Sequence, residues 1–98
     1  MKMYCVFDEQ FKVFSDPFLA TDNNAAERIV IQTAAVVPEI RARMSLTSLY
    51  YVADFFPDFH SPVCFDDGVP CMVSCSERLE ALCEAGEKKL KKEDFDNG

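Results

Sequence analysis

The chain has 98 residues, 49% of them hydrophobic, with nine Phe and three Tyr, which is enough for one domain with a filled core and too little for two. Seventeen acids against ten bases give a net charge of −7, which opposes binding to a bare phosphate backbone, where Lys and Arg supply the affinity. No apolar run approaches the roughly 20 residues that span a bilayer. The opening segment is broken by Asp8 and Glu9, unlike a signal peptide. Five cysteines, an odd number, fit a reducing, cytosolic setting.

In chain order, residues 3–7 and 11–14 read as two strands joined by a turn at Asp8-Glu9-Gln10, and both faces of this hairpin carry apolar side chains. Asp16-Pro17 ends the second strand in a bend. Thr21-Asp22-Asn23-Asn24 is dense in helix N-cap residues, with Asn24 and Glu27 spaced as a capping pair. A helix follows over 25–37, its apolar stripe running through Ala26, Ile29, Val30, Thr33 and Val37. Pro38 breaks it and leaves a short continuation over 39–44. Residues 48–55 form the clearest strand. Two more short strands are predicted at 63–65 and 70–74, joined as a hairpin by the turn Asp66-Asp67-Gly68. Ser74-Cys75-Ser76-Glu77 matches a capping box, so the last helix is predicted over 77–92 with Leu79, Leu82, Cys83, Gly86 and Leu90 inward. Residues 1–92 are thus one domain, with 93–98 as a disordered acidic tail. The fold class is α+β: an antiparallel sheet of three to five strands with two main helices on one face.

Charge is unevenly spread. No Lys or Arg occurs between Arg43 and Arg78, while Asp54, Asp58, Asp66 and Asp67 fall there beside Phe55, Phe56 and Phe59. That stretch suits contact with a basic protein partner. The bases Arg28, Arg41, Arg43, Lys88, Lys89, Lys91 and Lys92 are the set a direct single-stranded-DNA contact would use, with aromatic stacking beside them. The cluster 88–92 is equally explained by a helix C-terminus, whose dipole favours cations. His60, Cys64, Cys71 and Cys75 make a Cys3His zinc site chemically conceivable, but their spacing lacks the paired knuckles that grip one ion. On a strand, Cys71 and Cys75 stand about 13 Å apart. No nucleophile–base pair, phosphate loop or calcium loop occurs, so no catalytic residue and no cofactor is expected.

Val6-Phe7-Asp8, Pro17-Phe18, Ala26-x-Arg28 and Leu49-Tyr50-Tyr51-Val52, followed by a late capped helix, occur in an order that resembles the small nonstructural protein of microviruses, the single-stranded-DNA phages of the gokushovirus branch. The resemblance covers roughly residues 3–85 and lies in order and spacing. It departs at Ala53-Asp54-Phe55-Phe56-Pro57, where those proteins usually carry Gly, an acid, Phe and Asp before a Gly turn, and in its additional cysteines. It implies a non-enzymatic protein of the infected host's cytoplasm, absent from the virion, with a part in viral DNA synthesis or genome packaging. Its partner would be a replication or capsid protein, with single-stranded DNA as the rival and homodimerisation open.

Overall fold

The computed structural model describes residues 1–57, 63–64 and 69–97. Its elements are β1 (Lys2–Asp8), β2 (Val13–Phe14), β3 (Phe18–Ala20), α1 (Asn23–Val36), α2 (Pro38–Ala42), β4 (Thr47–Phe55), β5 (Val63–Cys64), β6 (Cys71–Ser74) and α3 (Ser76–Asn97), with a 3₁₀ turn at Met44–Leu46. All strand pairings are antiparallel. The sheet is built on the β1–β4 ladder, which runs from Lys2 opposite Asp54 to Asp8 opposite Thr47. β2 and β3 both pair with the outer edge of β1, and β5 and β6 with the outer edge of β4. Six short strands therefore fill four lanes, and the chain is α+β as its sequence predicts.

Two helices close one face of this sheet. Tyr4, Ala20 and Leu49 from the strands meet Ala26, Val30 and Ala34 of α1, Met44, and Leu79 and Cys83 of α3 in one buried cluster. Each large side chain removed from water there contributes about 1.5–3 kcal/mol. The buried row on α1, spaced by four residues, is made of small side chains, so the helix lies close to the strands. Ile29 and Thr33, predicted inward, instead sit at the margin of that row. Tyr4 is fully buried, and its hydroxyl donates to Asn23 Oδ1 at 2.7 Å, which satisfies its one polar atom.

Several local expectations are corrected. The α1 cap is Asp22, whose Oδ1 accepts from Ala25 N at 2.8 Å, two residues before the predicted Asn24. Phe18–Ala20 is a strand, not only a bend. Phe11 and Lys12 belong to the turn, where Asp8 Oδ1 accepts from the amides of Gln10 and Phe11 and Lys12 takes φ 59°. β5 and β6 each pair with β4 in place of forming a hairpin with each other; the turn 66–68 lies outside the described residues. Ser74 does not cap α3: it ends β6, and its hydroxyl donates to Glu27 on α1. Gly86 is exposed, and α3 runs through it to Asn97, so 93–97 is helical and Lys88–Lys92 precede its last turn.

Candidate interaction surfaces

The predicted DNA-contacting bases divide into two groups. Arg41, on α2, is held by two acids of α3: its Nη1 lies 2.9 Å from Glu80 Oε2 and its Nε 2.5 Å from Glu87 Oε1. The hydrogen bond to Glu87, then that to Glu80, keeps its guanidinium charged far above any working pH. Arg43 Nη2 donates to Asp8 Oδ2 at 2.6 Å and to Gln10, and its guanidinium lies 5.3 Å from the centre of the Phe11 ring. Asp8 is correspondingly held below the usual carboxylate range, first by the Phe11 amide, then by Arg43 and Gln10. A third arginine, Arg78 of α3, grips Glu27 of α1 at 2.7 Å, which lowers that carboxyl together with Ser74. These arginines fasten one element to another. Arg28, Lys88 and Lys89 are exposed and, among the described residues, make no ion pair; Lys91 and Lys92 follow on the same helix.

The predicted acidic contact patch is only partly within view. Asp54 closes β4 opposite Lys2 and accepts from the Tyr51 hydroxyl at 2.8 Å. Phe55 is half-buried, its amide tied to the Met1 carbonyl at 2.8 Å, and Phe56 is 38% exposed. Asp58, Phe59, Asp66 and Asp67 lie outside the described residues.

Of the zinc set, His60 also lies outside. Cys64 stands opposite Asp54 and Cys71 opposite Tyr51, three residues apart along β4 and so about 10 Å from each other. Among the described residues, no group of three or more His, Cys, Asp or Glu is arranged to hold a metal. Burial pushes the Cys5 and Cys83 thiols up, away from the thiolate that a nucleophile needs.

Two further surfaces are not among the predicted sites. On the sheet face without helices, the register puts Phe7 opposite Phe14 and Cys5 opposite Tyr50. The rings of Phe7, Phe14 and Tyr50 pack on one another with centroids 4.7–5.9 Å apart. Met72 pairs with Tyr50 across β6 and is 53% exposed, Phe14 46%. The signal for this surface was present: Tyr4-Cys5-Val6-Phe7 has no polar alternation, as a strand apolar on both faces must.

The second surface is a cleft of about 250 Å³ between α1, α2 and the start of the sheet, walled by Val6, Phe18, Ile29, Val30, Ile40 and Met44. It adjoins a space of about 360 Å³ under the β1–β2 hairpin, which shares Val6, Ser15, Ile40 and Thr47 and reaches Glu39 and the Asp8–Arg43 pair. Its hydroxyls are all spoken for. Thr33 donates to the Ile29 carbonyl, Thr47 to that of Arg43, and Ser15 to that of Asp16 while accepting from Val6 N.

No known protein family, characterised protein or solved structure matches this chain. Among the described residues, no helix is long and apolar enough to cross a membrane.

Proposed function

We propose that this chain is a non-enzymatic accessory protein that works by contacting another protein. Its resemblance to the microvirus nonstructural protein suggests the setting: phage single-stranded-DNA replication or packaging in host cytoplasm, with a replication or capsid protein as partner. One observation carries the protein-contact part. Arg41, Arg43 and Arg78 are each consumed by acids of the same chain, while apolar surface stays open on both sides of the sheet. A net charge of −7 with three of its four arginines so engaged leaves little to attract phosphate. Apolar patches rimmed by acids suit a protein with basic character.

The rival, direct single-strand binding, draws on the Phe7–Phe14–Tyr50 surface as a stacking platform, with Arg28, Lys88 and Lys89 supplying charge. Titrating labelled single-stranded DNA at low and physiological salt, with a duplex control, separates the two. The expected result is no saturable binding at either salt. Saturable binding that Arg28→Glu with Lys88→Glu and Lys89→Glu abolishes would replace the protein-contact reading with the DNA one. These positions serve the test better than Arg41 and Arg43, whose substitution also unfastens α2.

A further inference from the structure

Resting on the protein-contact reading, we propose that the cleft between α1, α2 and the β1–β2 hairpin seats a large apolar side chain of the partner, from a segment whose flanking residues are Lys or Arg. The interior sets the first half of that description. Val6, Phe18, Ile29, Val30, Ile40 and Met44 give aliphatic and aromatic walls, and Thr33, Thr47 and Ser15 have their hydroxyl hydrogens committed to backbone carbonyls. A polar group entering there would give up its water without a replacement donor, at a cost of roughly 1–3 kcal/mol. An apolar anchor meets no such penalty. At about 250 Å³ the cleft takes one or two side chains, not a folded element.

The rim sets the second half. Three charged residues line the combined cleft: Asp8, Arg43 and Glu39. Asp8 and Arg43 neutralise each other at 2.6 Å. Glu39, exposed on α2 beside Ile40, makes no ion pair among the described residues. The mouth is therefore an apolar hole with one unanswered negative charge, at its α2 end. A segment carrying Leu or Phe between basic residues complements it; an acidic segment or a phosphate chain is repelled.

The test uses the full chain, labelled with nitrogen-15, and two short synthetic peptides: one of Leu and Phe flanked by Lys, the other with Glu at every Lys position. The basic peptide should move the amides of Val6, Ile29, Ile40 and Thr47. The acidic one should not bind. Glu39→Lys, an exposed change that keeps the fold, should weaken the basic peptide at least about fivefold at low salt, with the difference fading as salt rises. Ile40→Ser should weaken it at all salts. Shifts confined to Phe7, Phe14 and Tyr50, equal binding of both peptides, or no binding would each overturn the proposal. So would self-association in sedimentation that Ile40→Ser abolishes, since a second copy would then fill the cleft. Failure of the peptides with no single-strand binding discards the cleft alone. Saturable single-strand binding discards the protein-contact reading itself.

Discussion

On its helix side the sheet presents Tyr4, Val6, Leu49 and Tyr51 to small residues of α1 and to Met44 and Leu79, and the result is a dry cluster held shut by polar straps. On the other side the same strands present Phe7, Phe14 and Tyr50, which lean on one another and stay partly in water. Apolar content hardly differs between the two. What differs is closure: the straps from Arg41 to Glu80 and Glu87, from Arg78 to Glu27 and from Tyr4 to Asn23 act on the helix side. Burying one face fixes the fold, and leaving the other open leaves surface for contact.

Substitutions that treat the two faces alike should give unlike results. Leu49→Ala, at a fully buried site, should cost about 2–5 kcal/mol in urea unfolding, through lost transfer energy and a residual cavity. A cost below about 1 kcal/mol would mean that the covered face is not the stabilising one. Arg41→Ala should cost about 1 kcal/mol, since its pairs are partly exposed and solvent screens them. Gly86→Ala should have the opposite sign, a gain of about 0.5–1 kcal/mol: a Cβ there meets nothing within 4 Å, and Ala is the better helix former. Phe14→Ser, on the open face, should cost less than about 1 kcal/mol in the same assay. A larger loss would show the aromatic group to be a second core.

The smallest effect concerns acid. Glu27 and Asp8 have carboxyl groups lowered in the folded chain, the first chiefly by Arg78 and the second chiefly by the Phe11 amide. Lowered values mean that their contribution is fully present above the unfolded carboxylate value, about 4, and is lost as pH falls through the folded one. Melting temperature should therefore drop below about pH 4, and the drop should be shallower in Glu27→Gln, which starts lower at neutral pH. An unchanged acid limb would remove Glu27 from the account.

Much of the fold was legible because local chemistry agreed with it. The pairing-competent runs 3–7 and 48–55, Pro38 at the start of α2, and the N-cap cluster before α1 each carry their signal in neighbouring residues. What could not be read was partner choice. Ser74 satisfies a capping pattern, yet its hydroxyl serves Glu27, 47 positions away. Asp66-Asp67-Gly68 satisfies a hairpin pattern, yet the strands on either side of it both find β4. Lys12 at positive φ carries no glycine to advertise its turn. The same limit applies to function. Arg41 and Arg43 look like free bases along the chain, and only the fold reveals Glu80, Glu87 and Asp8 beside them.

The central ladder has a consequence for how the protein is made. β1 pairs along its length with β4, and even the nearest partners, Asp8 and Thr47, close a loop that costs about 3 kcal/mol in chain entropy. At about 5–20 residues per second, a ribosome takes some seconds to go from the first of these strands to the second. Over that interval the short β2 and β3 can cover one edge of β1, and the edge that β4 will take stays open. The greatest exposure to unwanted strand pairing thus falls during synthesis, in a nascent chain whose nucleating contact has yet to emerge.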